Sequence, residues 1–143
     1  MIIDTTYLLP LSRIGVRADL LRAIAEGRVK GVGFGDLKVS LISLFELQAK
    51  ASKLGIHPRH VSKAIDAVLR AFPVIPFYRS DVVEEAHKLR ELLSDYIDRV
   101  VVATAIVLGE DLATEDAQIL ALRDTIEKHY GIKVLSYKDL VKL

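Results

Sequence analysis

The sequence predicts an α/β fold, a three-layer sandwich in which a short parallel sheet lies between two layers of helices. Apolar runs of strand length alternate with longer segments in which apolar residues recur at helical spacing. Such alternation is typical of parallel strands joined by right-handed helical crossovers. The chain of 143 residues has the size of one domain, is 51% apolar, and contains no evident linker or repeat. We therefore expect a single domain over residues 1–143.

The first half of the chain contains strand and helix patterns in turn. Residues 1–3 are expected to form a short buried strand, and a helix follows that stops near Gly27. Residues 31–42 are expected to form a hairpin that turns at Gly35 and Asp36, with residues 37–42 as its better strand. The pattern becomes helical from Ser43 to Gly55. Pro58 then begins another helix, because proline suits a first helical turn.

The second half continues the alternation. Residues 72–77 contain two prolines, which favours an edge strand or extended segment. Ser80 or Asp81 is expected to cap the helix that follows. The remaining predicted elements are a buried helix at 95–109, a strand at 111–114, a helix at 117–130, a strand at 132–135 and a terminal helix capped by Ser136.

Composition excludes several classes of protein. The chain contains no cysteine, which rules out disulfides and thiolate zinc sites. Asp4 precedes any hydrophobic region of a signal peptide, and the longest apolar run, residues 100–108, is too short to span a bilayer. We therefore expect a cytoplasmic protein without membrane segments.

Charge is distributed unevenly although the net charge is only +1. Residues 1–70 contain 11 Lys and Arg against 6 Asp and Glu, and the rest of the chain contains 9 against 13. The basic excess is concentrated between Glu46 and Asp66, in Lys50, Lys53, Arg59 and Lys63, with His57 and His60. Such a surface suits contact with an RNA phosphate backbone. A solvated helix face is the simpler interpretation of this observation alone.

Four acidic residues lie near the ends of predicted strands, where open parallel sheets form their sites. Asp4 and Asp116 each suit a helix cap, and Asp98 suits a cap or a first-turn acid. Glu46 suits a capping box with Ser43. Because all four simpler roles would be needed at once around one sheet, convergence on a single site is the stronger hypothesis.

Clustered carboxylates repel one another, so the cluster requires bound protons or a cation. None of the four acids is accompanied by a cysteine or histidine ligand. An oxygen-only ligand set selects a hard cation, and the sequence therefore predicts a site for Mg²⁺ or Mn²⁺.

Four segments together resemble the PIN domains, small nucleases that include the VapC-type toxins of prokaryotic toxin–antitoxin pairs. They are Met-Ile-Ile-Asp4-Thr-Thr-Tyr-Leu-Leu, Leu-Ile-Ser43-Leu-Phe-Glu46-Leu, Asp98-Arg-Val-Val-Val-Ala-Thr-Ala-Ile and Asp111-Leu-Ala-Thr114-Glu-Asp116. Their order covers nearly the whole chain. The resemblance implies a metal-dependent endoribonuclease whose products carry a 5′-phosphate and a 3′-hydroxyl.

The resemblance also implies roles for individual residues. Asp4, Glu46, Asp98 and Asp116 would ligate one or two metal ions or activate water. The hydroxyl groups of three further residues would orient these acids or a phosphate, namely those of Thr5, Ser43 and Thr114. A homodimer is implied too, as is a small antitoxin whose peptide crosses the acidic groove.

The sequence departs from the family pattern at a few positions. Ile119 stands where many relatives have an aromatic residue, Val102 replaces a small one, and the glycine-rich segment 31–36 is long. Asp95 and Glu115 flank two of the chosen acids. The segment 103–105 favours Asp98 over Asp95, and the threonine at position 114 favours Asp116 over Glu115.

Other interpretations are weaker. The glycines of segment 31–35 lack the spacing of a nucleotide-binding loop, and His57 and His60 have no third ligand. An aspartyl phosphatase would need a second Asp two residues after Asp4, where Thr6 stands. The serious alternative is a catalytically silent PIN-like module that binds RNA or a protein.

Overall fold

The computed structural model describes residues 1–141, a range that contains five strands and eight α-helices. The strands are β1 (Ile2–Ile3), β2 (Val39–Ser40), β3 (Val74–Ile75), β4 (Leu112–Ala113) and β5 (Val134–Leu135). The helices are α1 (Leu20–Ala25), α2 (Leu41–Lys53), α3 (Pro58–Ala71), α4 (Ser80–Lys88), α5 (Tyr96–Leu108), α6 (Ala117–Ala121), α7 (Arg123–Tyr130) and α8 (Tyr137–Leu140). Short 3₁₀ helices occupy Thr5–Ser12, Phe34–Asp36 and Leu89–Glu91. Residues 142 and 143, part of the predicted domain, lie outside the described residues.

All five strands run parallel. Strand β4 pairs with β1 on one side and with β5 on the other, and β2 pairs with β3. A parallel bridge between Ile2 and Lys38 joins the two groups. The resulting order is β3-β2-β1-β4-β5, which confirms the predicted parallel α/β architecture.

The two faces of the sheet pack against different helices because successive strand residues point to opposite faces. Ile2 and Leu112 belong to a core with α4, α5, α6 and α7. Ile3 and Ala113 belong to a second core with α1, α2, α3 and the first 3₁₀ helix. Helices therefore cover both faces, and the three layers expected from the sequence are present.

Helix α5 is the most buried helix, as its apolar sequence predicts. Its residues 100–105 are all buried, and Gly109 ends it with a φ of 63°, where a residue without Cβ is unstrained. Asp95 caps its start by accepting a hydrogen bond from the backbone N–H of Asp98 at 3.1 Å. The cap holds the first turn of α5, and Asp98 with it, at the carboxyl end of the sheet.

The predicted hairpin over residues 31–42 is wrong. Asp36 Oδ2 accepts a hydrogen bond from the Gly33 backbone at 2.8 Å, and a 3₁₀ turn forms where the hairpin turn was expected. Val39 then pairs in parallel with Val74. Residues 31–33 include two glycines and present no apolar strand face, so the preceding segment cannot form a stable partner strand.

Three helix boundaries also differ from the predictions. The cap of α2 is Ser40, not Ser43, and that of α4 is Arg79, which pairs with Asp81 at 2.8 Å. The predicted helix over 117–130 is interrupted at Leu122, so that α6 and α7 are separate. None of the helices between residues 1 and 141 is long and apolar enough to cross a membrane.

Candidate functional site

The four predicted acids come from four different elements at the carboxyl ends of the parallel strands. Asp4 directly follows β1, and Asp116 caps α6 soon after β4. Glu46 lies in the second turn of α2, which begins where β2 ends, and Asp98 lies in the first turn of α5. The parallel topology brings these elements to one edge of the sheet, because parallel strands end on the same side.

Asp4 is the most enclosed of the four, with only 9% of its surface exposed. Its Oδ1 accepts a hydrogen bond from the Thr5 backbone at 2.7 Å, and its Oδ2 accepts one from Thr114 Oγ1 at 2.8 Å. Burial raises the pKa of Asp4, and the charge of Glu46 adds to the rise, while the two hydrogen bonds and Lys50 oppose it. Asp4 is thus a fixed carboxylate in a costly environment.

Thr114 connects Asp4 to Asp116. While its hydroxyl donates to Asp4, the same oxygen accepts a hydrogen bond from the Asp116 backbone at 3.0 Å. Asp116 Oδ1 in turn accepts from the Ile119 backbone at 2.9 Å. Asp116 therefore has the simple capping role considered from the sequence, and it also lies in a network that includes Asp4.

The pKa of Asp98 is affected by all the other acids of the cluster. Burial, together with repulsion from Asp116, Asp95, Asp4 and Glu46, raises the pKa of Asp98 to about 7. The four predicted acids are therefore close enough to interact electrostatically. A carboxyl group with this pKa is only partly ionised near neutral pH. Strongly shifted pKa values of this kind are common at functional sites.

The two alternative acids have other partners. Asp95 is the cap of α5 and is exposed. Glu115 accepts hydrogen bonds from the Tyr7 hydroxyl at 2.5 Å and from the Tyr137 backbone at 2.8 Å. Both hydrogen bonds end on Glu115 Oε2, so this carboxylate is held by Tyr7 and by the start of α8.

Glu46 does not have the capping-box role that competed with a functional one. Ser43 lies inside α2 and is buried, so it cannot cap the helix. Its hydroxyl has no hydrogen-bond partner within the described residues, and neither has the buried hydroxyl of Thr5. An unsatisfied buried hydroxyl is costly, and these two flank Asp4 and Glu46 in sequence.

The donor chemistry of the cluster fits a hard divalent cation. All four side chains supply carboxylate oxygens, and their mutual repulsion would be relieved by positive charge. As the side chains stand, however, no three acidic or histidine residues among residues 1–141 are arranged to hold an ion. Repulsion between unneutralised carboxylates opposes their approach, and a bound cation would remove this repulsion.

The predicted RNA-contacting residues are all exposed, on α2 and α3. Lys50 is close enough to the acids for its charge to lower the pKa of Asp4. Lys53 follows it on the same helix, whereas Arg59 and Lys63 lie on α3 beyond the turn. The structure therefore divides the basic group into a part beside the acids and a part farther away.

The sequence reasoning missed a network centred on Glu115. Tyr7 is fully buried, and burial followed by its hydrogen bond to Glu115 raises the pKa of Tyr7. The network joins the segment after β1, the segment after β4 and the start of α8. Since Thr114 and Asp116 flank Glu115, it holds the two acid-bearing segments together. No pattern in a single sequence indicates that Tyr7 and Glu115 are in contact.

Tyr7→Phe is expected to lower the free energy of unfolding by about 2 kcal/mol, because it removes a hydrogen bond to a charged group inside the protein. Denaturant unfolding would measure the change. The matched control is Tyr78→Phe, since Tyr78 is 68% exposed and should leave stability unchanged. Equal stabilities of the two variants would contradict a structural role for the Glu115 network.

The fold and the acids at its strand ends define an α/β protein of the PIN-like class. The PIN domain model matches residues 1–125, and the chain belongs to the PIN domain family. The resemblance inferred from the sequence is thereby confirmed. PIN domains are generally nucleases.

Several solved structures share the fold at low sequence identity. A toxin–antitoxin complex from Klebsiella pneumoniae is 22% identical, with a TM-score of 0.61 over 95% of this chain and 96% of that one. FitAcB from Neisseria gonorrhoeae is 18% identical, with a TM-score of 0.67 over 97% and 99%. VapBC2 from Rickettsia felis, bound to a DNA fragment from its promoter, is 17% identical, with a TM-score of 0.60 over 94% and 96%. No curated protein sequence matches the chain.

Proposed function

We propose that the chain is a Mg²⁺- or Mn²⁺-dependent endoribonuclease and the toxin of a toxin–antitoxin pair. The observation that carries the proposal is the electrostatic coupling of Asp98 to Asp4, Glu46 and Asp116. Four carboxylates from four elements interact at the strand ends of a PIN domain. Structural ion pairing does not account for such a cluster, because none of the four forms a salt bridge within the described residues.

The residues of the proposed site fall into groups with different roles. Asp4, Glu46, Asp98 and Asp116 would hold the cation, and Thr114 keeps Asp4 oriented through its hydroxyl. A bound cation would supply acidified water and stabilise the negative charge that develops on the phosphate. The hydroxyls of Thr5 and Ser43 have no hydrogen-bond partner within the described residues. They are available to orient a carboxylate or a phosphate oxygen. Lys50, Lys53, Arg59 and Lys63 would contact the RNA backbone.

The proposal includes two protein partners, an antitoxin and a second copy of this chain. The Klebsiella structure is that of a toxin–antitoxin complex, which supports a small antitoxin as a partner of this chain. We extend the proposal to a cytoplasmic homodimer. Phe45, Leu54 and Leu69, all on or beside α2 and α3, are more than half exposed and offer apolar surface for such contacts. Light scattering would measure the oligomeric state.

The purified protein with Mn²⁺ is expected to cleave a pool of structured and unstructured RNAs and to leave 5′-phosphate ends. Chelation with EDTA should stop the reaction, and returning Mg²⁺ or Mn²⁺ should restore it. End-group analysis of the products would identify the chemistry.

A catalytically silent module is the second candidate. It is favoured by the arrangement of the acids, of which no three within residues 1–141 are positioned to hold an ion. Absence of cleavage, combined with absence of metal binding in calorimetry, would support this candidate over the ribonuclease.

A further inference from the structure

Basic side chains gather where α2 turns into α3, at the end of α2 away from the acids. This elbow cluster consists of Arg13, His57, Arg59, His60 and Lys63. The rings of His57 and His60 lie 6.0 Å apart. Partial desolvation lowers the pKa of His60, and the charges of the other four members lower it further. The five residues thus share one region of positive potential.

The cluster is not neutralised by acids of the protein. Arg13, Arg59 and Lys63 are exposed, and none forms a salt bridge within residues 1–141. Asp66, the acid that follows on α3, is exposed and also forms none. Uncompensated cations on one surface attract a polyanion, and an RNA backbone is the polyanion that this protein would meet as a ribonuclease.

Arg13 occupies an unusual backbone position. Its φ of 66° makes it the only non-glycine residue with a positive φ among the described residues. It ends the 3₁₀ helix Thr5–Ser12, where glycine would be unstrained. A strained cation at the surface is an observation that a purely structural cap does not explain, since a residue without Cβ would serve better.

A cavity of about 530 Å³ opens beside the cluster. Ile56, Pro58 and Ile65 provide apolar walls, and His57 adds an aromatic ring. The other polar residues of the lining are Gln48, Ser52 and Ser62. The volume lies in the range of small-molecule sites. Unpaired RNA bases bind in such places by stacking on an aromatic ring such as that of His57 and by hydrogen bonding at their edges.

Two elements lead from the acids toward the elbow cluster. The 3₁₀ helix begins after Asp4 and ends at Arg13, about 16 Å along at 2 Å per residue. Helix α2 carries Glu46, and Lys50 and Lys53 follow four and seven residues later on the same helix face. A row of positive charge therefore connects the acidic site with the elbow cluster.

We propose that the elbow cluster and its cavity form a second binding site for single-stranded RNA, which holds phosphates and one base of a strand that reaches the acids. The part of the proposal in which this strand reaches the acids rests on the proposed ribonuclease function. The elbow cluster contains none of the four acids, so that binding and cleavage can be tested apart.

The test measures affinity for a labelled 12-nucleotide single-stranded RNA as a function of salt. Asp98→Asn is the background, so that cleavage does not interfere. Adding Arg13→Asn and Arg59→Gln should weaken binding about 25-fold at 0.1 M salt and reduce the salt slope by about 1.4, about 0.7 per lost phosphate contact. Arg13→Asn should fold normally, because asparagine tolerates a positive φ.

Lys128→Gln is the matched control. Lys128 is an exposed cation on α7, which packs beside β5 at the opposite edge of the sheet. This variant should bind within twofold of its parent. Unchanged binding in the double variant, or an equal loss in the control, would overturn the proposal.

The cavity has its own variant. Ser62→Phe fills it without changing charge, and should weaken binding of single-stranded RNA more than binding of a duplex of the same length. Equal effects on both would overturn the base-binding part. If the wild-type protein cleaved no RNA while the Asp98→Asn background still bound RNA through Arg13 and Arg59, the ribonuclease proposal would fail and the second site would stand.

Discussion

Asp98→Asn is expected to reduce RNA cleavage by a factor on the order of 10² to 10³ while it stabilises the metal-free protein. The loss is the size that follows removal of one charge-stabilising group from an active site. The gain arises because asparagine removes a half-buried charge that Asp116, Asp95, Asp4 and Glu46 all repel. Cleavage kinetics and denaturant unfolding in EDTA would measure the two effects on the same samples.

The stabilisation should depend on pH in a defined direction. The pKa of Asp98 rises from 3.8 to about 7, so between these values the folded state binds more protons than the unfolded state. The free energy of unfolding of the metal-free wild type should therefore fall as pH rises from 4 to 7. Since Asp98 is partly exposed, solvent screening limits the gain from asparagine at pH 8 to about 1 kcal/mol.

Asp124→Asn is the control, because Asp124 is exposed on α7 and lies outside the cluster. It should change neither cleavage nor the pH dependence of unfolding. Cleavage at the wild-type rate by Asp98→Asn would remove this residue from the proposed site.

Saturating Mg²⁺ or Mn²⁺ is expected to raise the melting temperature by about 5–10 °C. A ligand at 100 times its Kd that binds only the folded state adds about 2.7 kcal/mol, and a domain of this size gains a few degrees for each kcal/mol. Relief of the repulsion around Asp98 is the physical source of the stabilisation. Differential scanning fluorimetry with and without the cation would measure it.

Glu46→Gln is the sharpest variant for this measurement. Its carboxylate forms no salt bridge within the described residues and repels Asp4 and Asp98, so the substitution should not lower the metal-free melting temperature. It should reduce the shift produced by the cation, whereas Asp124→Asn should keep the full shift. A shift of the same size in both variants would point to cation binding elsewhere.

Much of the fold could be predicted because local patterns and tertiary packing agree. Pro58, Gly109 and Ser136 begin, end and cap helices where their backbone preferences indicate. The hairpin over residues 31–42 failed because β2 pairs with β3, a partner more than thirty residues away. The turn signal at Gly35 and Asp36 is local and contains no information about that choice.

For the site, the positions of the acids could be predicted from the sequence, but their contacts could not. Its acids follow strands or begin helices, so their positions could be inferred from the order of elements. The sequence alone could not decide whether Glu46 forms a capping box with Ser43, because this depends on where α2 begins. The residue that caps α2 is Ser40, not Ser43. The contact between Tyr7 and Glu115 joins residues 108 positions apart. A side-chain pair of this kind has no periodic signature.

The two-residue strands bear on how the protein can change during evolution. β1 and β4 pair through only Ile2 with Leu112 and Ile3 with Ala113. One residue gained or lost between Ile2 and Asp4 would turn the side chain of Asp4 to the opposite face of the sheet, and its carboxylate would leave its contact with Thr114. Length changes are therefore expected to accumulate in largely exposed connections such as residues 30–36, while the spacing from β1 to Asp4 stays constant.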